Sequence, residues 1–177
     1  MKKIIIIGAG AMGSAFAVPC VDNKNDVTIV GTHLENDLIE KIKSNDQIHP
    51  ALKTKLSSEV KFEKFEKLQT ILDQDLDIIV CGVSSIGIEW FVQQISKKYK
   101  KGIPIILLTK GLSILDNELT TLSDKIRTLL SKDGHSEINI SAIKGPCLAA
   151  GLANKMRTGT IIANQKVKEA QLLKGII

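Results

Sequence analysis

Apolar residues in this chain gather in short unbroken runs, with polar, helix-like stretches and turn signals between them. The first run, Lys3-Ile4-Ile5-Ile6-Ile7, has no polar alternation and predicts a strand buried on both faces, as in a parallel sheet. A helix over roughly Ala11 to Cys20 follows, then a strand at Asp26 to Val30 closed by Gly31, and helical character over Glu35 to Lys43. Ser44 to Ser58 is polar, holds Pro50 and reads as a surface excursion. Val60 to Phe62 predicts a short strand and Leu68 to Leu72 a short helix. Ile78 to Val83 is another buried strand, with an amphipathic helix from about Gly87 to Lys98. Then come a strand at Ile103 to Thr109, a helix at Asn117 to Ser131 and a strand at Ile138 to Ile143. A short helix after Pro146, a strand around Thr160 to Ala163 and a terminal helix from Lys166 complete the reading. Such alternation predicts an α/β fold: a doubly wound, mostly parallel, Rossmann-like sheet.

Gly8-Ala9-Gly10-Ala11-Met12-Gly13 stands directly behind the isoleucine run and has the form G-x-G-x-x-G. In that pattern Gly8 permits the tight bend, Gly10 lets the backbone approach a pyrophosphate, and Gly13 lets helix and strand pack closely. The helix N-terminus would aim its free N–H groups and positive dipole end at the phosphates. Met1-Lys2-Lys3 and the apolar stretch ending at Cys20 superficially resemble a secretory or lipoprotein leader. The three glycines, and Val18-Pro19 before the cysteine, count against that reading.

Length and charge narrow the class. The 177 residues suffice for one well-packed domain and not for two of full size. No apolar run reaches the roughly 20 residues of a membrane span. Cys20, Cys81 and Cys147 lack the close pairing of a zinc or redox motif, so no metal site is expected, and reduced thiols in a cytoplasmic protein are. The net charge of +5 suits anionic ligands, but the lysines form no basic block. Aromatics at 3 % leave little for base stacking, which points away from nucleic acid and toward small phosphorylated molecules.

Ligands of open α/β sheets lie beyond the carboxyl ends of the strands, which singles out three places besides the glycine turn. After the second strand, Thr32 and His33 offer neither the acid of NAD sites nor the arginine of NADP sites, so cofactor choice stays open. Thr32 can donate a hydrogen bond, and His33 can cover an adenine or assist a 2′-phosphate. Lys110, in Thr109-Lys110-Gly111, would hold its ammonium in the crevice, where it can polarise a carbonyl or anchor a phosphate. Gly145-Pro146-Cys147 leads from a strand into a helix, a turn that suits an anion, although Cys147 also suits plain packing.

Together, Gly8–Gly13, Asp77–Val83, Thr109-Lys110-Gly111 and Gly145-Pro146-Cys147-Leu148-Ala149 resemble, in order and approximate spacing, the NAD(P)-dependent glycerol-3-phosphate dehydrogenases. The resemblance implies reduction of dihydroxyacetone phosphate to glycerol 3-phosphate, a phospholipid precursor. It also implies that Lys110 touches both cofactor and substrate, that Gly145 and Cys147 line the substrate phosphate, and that Ala149 joins the glycine turn on the cofactor. This chain departs from the family at Ala11-Met12 (often Ser-Trp), Thr32 (usually Arg), Ser84-Ser85 (Pro-Ser) and Cys147 (Ser). Family members continue into a helical substrate domain carrying a second lysine as general acid. Residues 1–177 are therefore expected to be a single dinucleotide-binding domain, with that C-terminal domain absent and little turnover without it. Cofactor NAD or NADP, a small phosphorylated substrate and a possible homodimer complete the expectation. The alternatives are a β-hydroxyacid or imine-acid reductase of the same architecture, or a non-catalytic NAD(P)-sensing module that docks through Leu172, Leu173, Ile176 and Ile177.

Overall fold

The computed structural model describes residues 1–177. Strand β1 (Lys3–Ile7) leads through the glycine turn into helix α1 (Ala11–Asp22), and β2 (Asp26–Val30) into α2 (Asn36–Ser44). A small hairpin of β3 (Ile48–His49) and β4 (Thr54–Lys55) precedes β5 (Lys61–Glu63) and α3 (Leu68–Leu72). Next come β6 (Ile78–Cys81), α4 (Ile88–Ser96), β7 (Ile105–Leu107), a hairpin of β8 (Leu112–Leu115) and β9 (Glu118–Thr121), and α5 (Leu122–Lys132). Strand β10 (Ile140–Lys144), α6 (Ala149–Ala153), β11 (Ile161–Ala163) and α7 (Val167–Lys174) finish the chain.

Seven strands form one sheet in the order β11-β10-β7-β6-β1-β2-β5. All neighbours run parallel except β11, which pairs antiparallel with β10 at the edge. The fold is thus the α/β, doubly wound, mostly parallel sheet that the hydrophobic runs predict. The isoleucine run lies at its centre, paired with β2 on one side and β6 on the other. Ile4 and Ile6 face a core shared with α1 and α2, whereas Ile5 and Ile7 face one shared with α4 and α5. Both faces are covered, which is why no polar residue interrupts the run. Burial of each isoleucine contributes about 2 kcal/mol.

Two expectations need correction. The helix expected over Asn117 to Ser131 begins only at Leu122, and β8 and β9 occupy the preceding residues. Asp116 and Asn117 take positive φ values of 51° and 66°, which a two-residue hairpin turn of the primed type requires at both positions. Thr121 then caps α5, its Oγ1 accepting from the Asp124 N–H at 3.1 Å. The stretch Ser44 to Ser58 is also more than a surface excursion. It contains the β3–β4 hairpin and sends His49, Leu52 and Leu56 into the interior.

All three cysteines are free and buried. Burial pushes the thiols of Cys20 and Cys81 up to about 12. A thiol-specific chromogenic reagent at pH 8 is therefore expected to label none of them rapidly in the folded protein and all three in denaturant. Labelling of one cysteine within seconds under native conditions would contradict this packing.

Candidate functional site

The chain order runs outward from β1 through β2 to β5, then returns to β6 and continues through β7 to β10. The sheet therefore reverses its winding between β1 and β6, where a crevice opens beyond the carboxyl ends of the strands. A cavity of about 640 Å³ occupies this place. Gly10, Ala11 and Met12 form one wall, Thr32, His33 and Glu35 a second, and Gly82, Ser84 and Trp90 a third.

The glycines of the turn divide their work. A Cβ on Gly13 would stand 2.2 Å from the Gly8 carbonyl oxygen. Gly8 has φ +111°, and a Cβ there would stand 2.7 Å from the Gly82 carbonyl carbon. Gly8, Gly13 and Gly82 thus let turn, helix and β6 touch through bare backbone. Gly10 differs: its nearest side-chain neighbour would be Glu35 Oε1 at 3.8 Å, so its open side faces the cavity. Gly10 has φ −61° and ψ 172°, extended backbone leading into α1. The first N–H groups of α1 lack intrahelical carbonyls, and no acidic residue stands in its first turn. The cradle thus offers donors and a positive dipole end to an anion.

Ala9, between the first two glycines, is held on both polar sides. Its N–H donates to Glu35 Oε2 at 3.0 Å, and the same oxygen accepts from the Thr32 N–H at 2.8 Å. Its carbonyl accepts from Ser14 Oγ at 2.9 Å and meets His49 Nε2 at 3.0 Å. His49 Nδ1 faces the N–H groups of Ala51 and Leu52 at 3.2 and 3.3 Å. Two donors on Nδ1 assign the proton to Nε2, which donates to Ala9. Neither Glu35 nor His49 stands out in the sequence. The only available signal was an acid shortly after β2, at the start of a helix. The residue at that position ties the first two βα turns together.

His33 does not stand alone on the surface. Its ring lies 5.4 Å from that of Trp90 and 6.0 Å from that of Phe65, and those two lie 5.8 Å apart. Separations in this range suit tilted and edge-on aromatic pairs. In a chain so poor in aromatics, His33 and Trp90 line one end of the crevice with Phe65 packed against both, a flat wall that suits a heterocycle.

The remaining expected site residues lie at the ends of β7 and β10. Thr109 Oγ1 donates to the Val83 carbonyl at 2.5 Å, fastening this end to the strand beside the crevice. Lys110 is exposed, and its Nζ donates to the Gly145 carbonyl at 2.9 Å. Lys110 and Gly145, 35 residues apart, are thereby joined. Cys147 is 4 % exposed, so its thiol packs inside. Ala149 begins α6, which packs against α1 behind the glycine turn.

The sequence profile for the N-terminus of NAD-dependent glycerol-3-phosphate dehydrogenase matches residues 3–170. An Archaeoglobus fulgidus protein named NADP(+)-dependent glycerol-3-phosphate dehydrogenase is 34 % identical, over 98 % of this chain and 50 % of its own length. A Mesoplasma florum glycerol-3-phosphate dehydrogenase [NAD(P)+] is 30 % identical, over 97 % of this chain and 49 % of its own. The Plasmodium falciparum glycerol-3-phosphate dehydrogenase structure superposes with a TM-score of 0.81 at 20 % identity, covering 99 % of this chain and 49 % of that one. This last likeness speaks to the fold alone. The chain spans about half the length of the curated relatives it matches.

Proposed function

Because the chain belongs to the NAD-dependent glycerol-3-phosphate dehydrogenase family, matching its N-terminal part, we propose that it is the cofactor-binding domain of an NAD(P)H-dependent reductase of dihydroxyacetone phosphate. The observation that carries this reading is the glycine turn opening onto the crevice where the sheet reverses its winding. A dinucleotide fits the residues present. Gly10 leaves room for a pyrophosphate, the start of α1 supplies unpaired N–H groups, and His33 and Trp90 wall the far end.

When bound, the nicotinamide supplies the hydride. This chain's part is to hold and orient. Gly8, Gly10, Ala11, Met12 and Gly13 shape and line the diphosphate cradle, with Thr32 and His33 at the adenosine end and Ala149 bracing α1 from behind. Lys110, exposed at the end of β7, polarises the substrate carbonyl and faces the cofactor. Gly145 and the Cys147 backbone border the substrate phosphate. The ketone becomes an alkoxide that needs a proton, and we assign that donor to the helical domain expected in the half of the relatives this chain does not span. The domain by itself binds cofactor and turns over little. Three unpaired cysteines suit a reducing compartment, which supports a cytoplasmic reading. No helix is long and apolar enough to cross a membrane.

Trp90 is the single tryptophan and lines the crevice, so it reports occupancy directly. Titration with NADH or NADPH is expected to quench Trp90 emission in a saturable way. Refusal of both at saturating concentration would overturn the reading.

A further inference from the structure

Strands β7 and β10 are parallel neighbours, with Leu107 level with Ala142. Lys110 lies just past the carboxyl end of β7 and Lys144 is the last residue of β10, and each reaches across to the other strand's turn. Lys110 Nζ donates to the Gly145 carbonyl at 2.9 Å, and Lys144 Nζ donates to the Thr109 carbonyl at 3.2 Å. The two side chains therefore lace the same gap in opposite directions. Neither ammonium pairs with any carboxylate, although ten other lysines of the chain do.

We propose that Lys110 and Lys144 form a two-cation clamp for a phosphate monoester dianion, with Lys144 a phosphate-binding residue in its own right. An ammonium carries three donors, and each lysine uses one on a carbonyl, which leaves four for phosphate oxygens. Two uncompensated charges facing one gap match the charge of a phosphate monoester better than that of a carboxylic acid. One acid shares a cavity with Lys144 and does not cancel its charge. Asp124 borders the same cavity of about 410 Å³, but its carboxylate is engaged by Arg127 at 2.5 Å. Burial, and then the nearby charge of Lys110, hold the Lys144 ammonium below its ordinary range. A bound dianion relieves both. The half-buried Lys144 would otherwise be an unexplained place for a charge, because its single carbonyl contact needs no cation.

The inference rests on the reading of the substrate as phosphorylated, but its test does not need the cofactor. Backbone amide shifts of the full chain would be followed in low salt as inorganic phosphate, glycerol 3-phosphate or uncharged glycerol is added. Phosphate and its ester are expected to move the amides of Thr109, Lys110, Gly111, Gly145 and Cys147 saturably, and glycerol to leave them in place. Lys144→Met keeps the stem and loses the charge, and should raise the midpoint about tenfold, the worth of one charge-assisted contact. Lys144→Arg should restore most of the affinity. Lys166→Gln, an exposed lysine elsewhere, should change nothing. An unchanged midpoint in Lys144→Met overturns the clamp, as do shifts confined to Ala9–Met12. Cofactor refusal in the Trp90 titration would overturn the functional reading and leave these amide shifts untouched.

Discussion

Gly13→Ala is expected to lower the melting temperature by about 10 °C and to abolish measurable cofactor binding, whereas Gly10→Ala should leave stability nearly unchanged and still weaken the cofactor at least tenfold. The difference follows from what each new methyl meets. On Gly13 it would stand 2.2 Å from the Gly8 carbonyl oxygen and 3.4 Å from Ile6 Cγ2. The turn cannot back away. The Gly8 N–H is tied to the Val30 carbonyl at 2.9 Å, and Gly8 already rests on bare backbone at Gly82. α1 must therefore lift off the sheet, at about 3 kcal/mol or more for overpacking of a rigid core. That is a large share of the roughly 5–15 kcal/mol that holds a domain together. On Gly10, by contrast, the methyl meets nothing nearer than Glu35 Oε1 at 3.8 Å, and φ of −61° suits alanine. The methyl instead occupies the space through which a pyrophosphate would approach the backbone. Thermal melts of the two variants beside the Trp90 titration separate the effects. Equal losses of stability in both would show that the second glycine serves folding and not the ligand.

The same turn shows what the chain reveals of itself and what it hides. Ile4–Ile7 and the spacing of Gly8, Gly10 and Gly13 are local, and local pattern suffices for strand, bend and helix. Strand ends follow just as directly, which is why Lys110 and Gly145 can be placed in one region before any contact is known. Glu35 and His49 are different. Their partners are backbone atoms of Ala9, 26 and 40 residues away, and a bond to a main-chain carbonyl or amide leaves no mark in the spacing of side chains. His49 also lies in a stretch too polar to suggest a core, and only the β3–β4 hairpin turns its ring inward. Leu115 to Leu119 misleads for a related reason. Its leucines repeat at a helical interval, yet the positive φ at Asp116 and Asn117 outweighs the period and makes a hairpin. In the sequence Lys144 is only the residue before a glycine. Its meaning depends on Lys110 crossing the same gap from the neighbouring strand.

His49→Phe should destabilise the domain by about 2–4 kcal/mol and weaken cofactor binding, while His49→Gln should recover much of both. Phenylalanine fills a similar volume but carries neither the donor to Ala9 nor the acceptor for Ala51 and Leu52. The Leu52 N–H is then left in a buried setting, where an unmet donor costs about 1–3 kcal/mol. The Ala9 carbonyl keeps Ser14 as its remaining donor. A glutamine offers an N–H for Ala9 and an oxygen for the hairpin amides, so it can stand in for both ring nitrogens. The decisive measurement is a double-mutant cycle with Ser14→Ala, because Ser14 and His49 share one acceptor. Loss of either donor leaves the Ala9 carbonyl satisfied by the other, and loss of both leaves it buried and bare. The double variant should therefore lose more than the sum of the singles, by about 1 kcal/mol or more. Additive losses, with cofactor affinity unmoved in His49→Phe, would mean that the hairpin merely covers the turn and does not hold the Ala9 peptide in place for the ligand.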